Sequence, residues 1–547
     1  MNPALGRWSR PVSAVPAAQA AFDDGLAYTF GFNHAAAIAC FARAAEADPA
    51  CGMAHWGIAY AGGPNYNLPW GLYDDAGRAA ALAAAHDAAQ AALARPPASP
   101  ADRALIRALA RRYPQRTPGP DMAAWDADFA AAMEAAHLAH PHDLDLRSVY
   151  VESLMTLTPW AMWDGTTGAP AGPHTLKARA ALEGAFRDDP RAWDHPGLLH
   201  LHVHLMEMST TPEAALRQAD RLRRIAPGLG HLVHMPTHID IQIGAYHDAL
   251  AWNLEAIAAD EAQAEAEGRI NFYAGYRIHN YHFACYAAMF LGQYAPARDA
   301  ATGLVASVPE ALLRIESPPM ADYFESYFAL LPHVHVRFGK WAEAIAAPLP
   351  SDPDLYRMGT AMVLYARAVA HAALGQVEAA RRAEADFHAA RARVPESRLL
   401  HNCRCTDLLG IAEAMIAGEI AYREGRYPAA FDALREAVRR DDALPYDEPW
   451  GWMQPARHAL GALLLEQGEA AEAEAVYRAD LGLGDAPAGM PCAQVHPDNV
   501  WSLRGLLSCL ERRGETVEAR HIRARLARAA ARADGDVAVS CFCARGP

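Results

Sequence analysis

The chain has 547 residues, 52% hydrophobic and 21% charged, a balance that belongs to a folded globular protein and excludes an intrinsically disordered one. Its formal net charge of −15 argues against nucleic acid or an anionic membrane as the main partner. No run approaches about 18 uninterrupted apolar residues, no compact apolar core follows the first charges as in a signal peptide, and nine cysteines do not make a disulfide scaffold. The expectation is a cytoplasmic chain with no membrane partner and reduced thiols.

In chain order, alanine dominates among strong helix formers, so the predicted class is all-α. Residues 1–20 read as an irregular lead-in, and 21–190 as N-terminal repeats with long loops. The first helical pair lies in GLAYTFGFNHAAAIACFARAAEADPACGMAHWGIAYAGG, where Gly31, Ala37, Phe41 and Ala45 space small and aromatic residues before a stop at Asp48–Pro49. PNYNLPWGLYDD, at 64–75, has no helical period and is a loop between helices that can frame a site. Further on, HPHDLD occupies 140–145, and Trp160 and Trp163 run into a Gly/Pro loop.

Residues 191–300 carry the strongest functional signal. His200, His204 and Glu207 stand at i, i+4 and i+7; His231, His234 and His238 stand at i, i+3 and i+7. At roughly 100° per residue, each trio falls in a helical sector about 60° wide. His200 to His234 and His204 to His238 are both separated by 34 residues. That is the period of a tetratricopeptide repeat, roughly 34, so equivalent turns of successive helices are expected side by side. His279 and His282 follow at i, i+3, with Tyr286 four residues on, and are read as further ligands and a catalytic side chain. His202 faces away from His200 and His204 and is expected in the core or at the surface; His195 is expected in the turn before the helix. Met206, Met208 and Met235 are read as packing.

Residues 301–530 return to clear helix turns, marked with the preceding stretch by Gly244, Gly292, Gly339, Gly375, Gly425, Gly468 and Gly514. The run Pro445–His458 puts polar and aromatic residues on a Pro-bounded loop leading into a helix. Tyr446, Asp447, Glu448, Trp452, Gln454 and Arg457 are therefore substrate-contact candidates, against packing and a capped helix start. Two C-x-C pairs, Cys403/Cys405 and Cys541/Cys543, suggest a four-thiolate site, a redox pair or incidental thiols; the second lies in the segment 531–547. Phosphate-binding loops, dinucleotide-binding glycine patterns, nucleophile elbows and H-E-x-x-H are all absent from the sequence.

The small-residue and aromatic spacing resembles the tetratricopeptide-repeat superfamily. More narrowly, HPG…H…H..E, GHLVHMPTHI, PYDEPWGWMQPARHALGALLLE and SCFC look similar to a group of bacterial tetratricopeptide-repeat proteins of about this length. The resemblance implies one superhelical solenoid of antiparallel helix pairs over 1–547 and no particular reaction. The residues themselves point to a transition-metal centre in its concave groove, since imidazole is the commonest ligand for such ions. A His-rich site with one carboxylate and an open position suits copper or iron ahead of zinc. The expected protein is a metal-dependent oxidoreductase acting on a small organic substrate, with Glu207 a ligand or general base. The alternatives are a metal-dependent hydrolase, a non-catalytic scaffold for a peptide or protein partner, and a metal store.

Overall fold

The computed structural model describes residues 3–544. Among them the chain is all-α, built from helices most of which pack heavily on a neighbour in sequence. The exception is a pair of two-residue strands, Leu399–Leu400 and Cys403–Arg404, joined antiparallel. The short connections fold consecutive helices back on one another as antiparallel pairs. No helix among the described residues is long and apolar enough to cross a membrane.

The chain divides into two compact units. The first comprises Met1–Ile239 with Glu255–Gln263, and the second Asp240–Leu254 with Ala264–Pro547.

In the first unit, helix Pro16–Phe30 turns through Gly31–Asn33 into helix His34–Ala47, followed by Gly52–Ala61. Phe41 is fully buried, and a side chain at either Gly25 or Gly57 would strike its ring. The small residues thus admit an aromatic wedge, whose burial contributes roughly 2–3 kcal/mol. The lead-in is more ordered than its sequence suggests. Trp8 Nε1 donates to Asp145 Oδ1 at 2.7 Å, and the buried Arg10 guanidinium pairs with Asp102, Asp143 and Asp145. A buried cation is tolerated there because three carboxylates face it. Asp143 also caps helix Leu144–Met155, accepting from Leu146 N at 3.0 Å.

In the second unit, the turn glycines behave as their spacing predicts. Gly244, Gly292, Gly339, Gly375, Gly425, Gly468 and Gly514 all have positive φ, between 60° and 91°. This left-handed conformation ends one helix and releases the chain toward the next, and glycine alone adopts it without a Cβ penalty. Helix pairs such as Arg357–Ala373 with Val377–Arg391, and Cys405–Arg423 with Tyr427–Asp442, follow from it.

Candidate metal centre

The site lies in the first unit. Helix Pro196–Met206 starts where the sequence dictates: Pro196 supplies a fixed φ at the first helical position, and His195 is the N-cap. His195 Nδ1 accepts from Leu198 N at 3.1 Å, and its Nε2 faces Asp145 Oδ1 at 3.2 Å. His195 is therefore a helix cap, as its place before Pro196 predicts. At the other end, Trp163 Nε1 donates to Leu205 O at 2.7 Å and satisfies a terminal carbonyl. Glu207 follows the last helical residue in αR conformation and keeps the helical register.

The second stripe is not one helix. Gly230–His234 and Pro236–Gln242 are separate segments that meet at Met235. Pro236 has no N–H to offer the carbonyl one turn back, so it restarts the helix. Met235 N still bonds His231 O at 2.9 Å, and His238 N bonds Met235 O at 3.1 Å, a tighter turn that keeps His231, His234 and His238 on one side.

All six sequence-predicted residues of the two stripes come together, each 2% exposed or less. His200 Nε2 lies 3.1 Å from His231 Nε2, and His234 Nε2 lies 2.8 Å from His238 Nε2. One ligand atom from each of His200, His204 and His231 falls within 4.8 Å of the other two. The register differs from the sequence expectation: His200 pairs with His231, one turn short of His234. His204 and His238 are joined through Glu207. His204 Nδ1 is 2.9 Å from Glu207 Oε1, and His238 Nδ1 is 2.7 Å from Oε2.

The imidazoles are held from behind. His200 Nδ1 donates to Phe30 O at 2.7 Å, which fixes the tautomer with the lone pair on Nε2. Glu207 does the same work for His204 and His238. Burial first, and then the neighbouring imidazoles, hold His200 and His231 well below the ordinary histidine range, so both are neutral at pH 7. Two neutral imidazoles whose Nε2 atoms approach this closely need a proton or a cation between them, since opposed lone pairs repel.

A shell of aromatic rings surrounds the cluster. Phe32 stacks on His204 at 5.6 Å and on His231 at 5.4 Å, and Tyr66 lies 4.8 Å from His204. Tyr66 comes from the 64–75 loop, and its hydroxyl accepts from Trp160 N at 3.3 Å, so both irregular segments flagged in the sequence reach this site. Phe32 and Phe30 were not legible as site residues. Phe32 has φ 56°, rare for a bulky side chain, and the only sequence hint is its place between Gly31 and the capping Asn33. His202 points into the core, edge-on to Phe186 at 5.5 Å.

A first-row ion holds imidazole nitrogen at about 2.0–2.1 Å, which puts pairs of ligand nitrogens roughly 3–4 Å apart. The His200–His231 pair already fits, and the trio with His204 closes on an ion by small side-chain movements. The donor set suits such an ion: imidazole nitrogens in front, a carboxylate and a carbonyl behind.

No family model matches the chain. No curated protein matches it either. Among solved structures, the structure of Naa15/Naa10 bound to HypK-THB aligns with 93% of this chain and 70% of that one, at 14% identity and a TM-score of 0.22. So loose a superposition carries no argument.

The remaining sequence-predicted residues belong to the second unit. On helix Ala274–Leu291, His279 meets Phe283 at 4.9 Å and His401 at 5.7 Å, while the buried His282 brings Nε2 to 2.8 Å from Met453 Sδ. Tyr286 packs on Phe290 at 4.5 Å. Trp452 is buried edge-on to His333 at 4.7 Å, and Arg457 grips Asp442 with both terminal nitrogens. Asp441 caps helix Ala456–Glu466 through Ala456 N at 3.0 Å. Tyr446 offers its carbonyl to Asn402 at 3.2 Å, Glu448 is 3% exposed, and Gln454 lines a small cavity of about 20 Å³. His401, in left-handed conformation at φ 48°, sets Nδ1 2.5 Å from Asp447 Oδ1, a dyad that the sequence did not announce.

The four C-x-C sulfurs are not brought into one site. Cys541 and Cys543 are bonded to each other, whereas Cys403 and Cys405 are buried free thiols. Cys403 abuts Gly451, and no metal-capable group among the described residues includes a cysteine.

Proposed function

We propose that this chain is a metal-dependent oxidoreductase acting on a small organic substrate, with a copper or iron ion held by His200, His204 and His231. The observation that carries the reading is the convergence of these three buried imidazoles, with Phe30 and Glu207 fixing the Nδ1 side of the first two. His234 and His238 extend the donor set around the same carboxylate. A redox-active ion would supply the electron transfer, and three protein nitrogens leave positions open for substrate.

The chain's own residues supply the rest. Glu207 holds two imidazoles in one tautomer and keeps their protons off the inner nitrogens. Phe32 and Tyr66 exclude water and give an apolar wall on which an organic substrate packs. Glu207 is a positioning residue in this reading, which disfavours metal-assisted hydrolysis with Glu207 as the base. Burial of all six side chains likewise disfavours an open groove for a peptide partner. Membership of the bacterial tetratricopeptide-repeat group belongs to the same proposal, on the motifs quoted above.

Elemental analysis of untagged protein tests it, beside a His204→Ala/His231→Ala variant. Stoichiometric copper or iron is expected, lost in the variant while helical circular dichroism persists. Protein that holds no metal and takes none up on reconstitution would overturn the reading.

A further inference from the structure

Residues 537–544 are laid onto the second unit by side chains from four helices. Arg504 Nε donates to Ala538 O at 3.0 Å, and the Tyr477 and Ser540 hydroxyls lie 2.5 Å apart. Arg337 Nη2 donates to Ser540 O at 2.6 Å, and Arg423 donates to the carbonyl of Cys543. Phe542 covers Gly339 and meets the Trp501 ring at 6.1 Å. A strap so anchored holds its two cysteines in one place, where they are bonded to each other.

Arg337 is the unusual neighbour. It is 3% exposed, lies over the Trp501 ring at 4.1 Å and contacts His458 Nδ1 at 2.9 Å. Among the described residues no carboxylate is within ion-pair distance of it, and burial pulls its guanidinium down to about 9. A buried cation without a counter-anion is costly, and any anion formed beside it is stabilised. Arg337 and His458 line the same small cavity as Cys541 and Cys543. Glu419, also on that lining, faces Arg423 at 4.0 Å.

We propose that Cys541–Cys543 is a redox-active disulfide that exchanges with an external dithiol, the buried Arg337 stabilising the thiolate released. Cys541 is the half-exposed sulfur and Cys543 the buried one, 2% exposed. A thiolate of the dithiol attacks Cys541 Sγ; the S–S bond breaks and its electron pair leaves on Cys543 Sγ, toward the cationic lining. The second thiolate of the reductant then attacks its own sulfur in the mixed disulfide and releases Cys541. Of the two protons lost by the reductant's thiols, one ends on Cys541 and the other passes to solvent, Cys543 remaining a thiolate beside the cation, so the reductant is oxidised by two electrons and the strap reduced by two. No other cysteine takes part in the exchange.

The test is equilibration of full-length protein in graded mixtures of reduced and oxidised dithiothreitol, quenching with iodoacetamide and mass mapping of the peptide holding Cys541 and Cys543. Both cysteines are expected to gain label together across one transition, which Cys541→Ser and Cys543→Ser each abolish without loss of bound metal or helicity. Arg337→Met is expected to move the midpoint about tenfold toward the reductant, because the thiolate loses its cation. If both cysteines label at every ratio, or stay unlabelled in the fully reduced buffer, the proposal is overturned. An unmoved midpoint in folded Arg337→Met would overturn the role of the arginine; should that variant not fold, the two serine variants still decide the disulfide.

Discussion

Glu207 shows how the position of one carboxylate decides its chemistry. Its two oxygens face the Nδ1 atoms of His204 and His238, so it orients both imidazoles from behind. Glu207→Gln keeps the shape and removes the charge, and its amide offers only one acceptor for two ring protons. The expected outcome is metal affinity reduced about 10–100-fold with the helix content intact, read by competition against a chelator of known affinity. Unchanged affinity would mean that the carboxylate is incidental. The histidines were legible because ligand-type residues recurred at helical spacing on two segments one repeat apart. The role of Glu207 was not, because spacing places a side chain on a face without saying which ring nitrogen it meets. Nor was the His200–His231 pairing, which depends on the break at Pro236.

At the scale of elements, the helix Pro196–Met206 sits where it does because Gly197 lets it approach. A Cβ at Gly197 would lie 2.6 Å from both the Phe30 ring and Ser148 Oγ. Gly197→Ala must therefore push this helix away from Phe30, whose carbonyl holds His200 Nδ1. The cost of such overpacking is about 1–3 kcal/mol. The expected variant has a lower melting temperature and weaker metal binding together, read by thermal denaturation and metal titration. Loss of stability with metal binding untouched would separate the helix position from the site. The turn glycines were readable one by one, since each had to adopt positive φ after an Ala/Leu helix. The anchoring of Trp8 and Arg10 was not readable, because their carboxylate partners lie about ninety to 140 residues away in sequence.

For the whole molecule, the notable quantity is the number of imidazoles buried in neutral form. Burial lowers His34, His202 and His458 to about 4 and His282 and His333 to about 3. Unfolded, each titrates near 6.5, so below that pH the unfolded chain binds protons that the folded chain refuses. Two buried carboxyls act in the opposite sense, burial raising Glu419 to about 7 and Asp441 to about 6. Near pH 5.5 these seven groups together hold roughly three more protons in the unfolded chain than in the folded one, a contribution of about 4 kcal/mol lost per pH unit. The melting temperature is expected to be level above about pH 7 and to fall steadily toward pH 5.5; a flat or rising curve would contradict this account. The all-α class was legible from composition and turn spacing, whereas these proton balances depend on burial that no sequence pattern reports.

The donors and their supports arrive over very different lengths of chain. His200 and His231 are 31 residues apart, but the Phe30 carbonyl that orients His200 is 170 residues away. Closing the longer loop costs about 1.5 kcal/mol more in chain entropy, and it waits on helices made much earlier in the sequence. On the proposed function, an ion would thus be captured by a short, locally closed segment before the imidazoles are locked in their final orientation. If the site holds an ion as proposed, capture and orientation are separable, and metal present during refolding is expected to act as a template, whereas metal added afterward would have to enter a site already walled by rings.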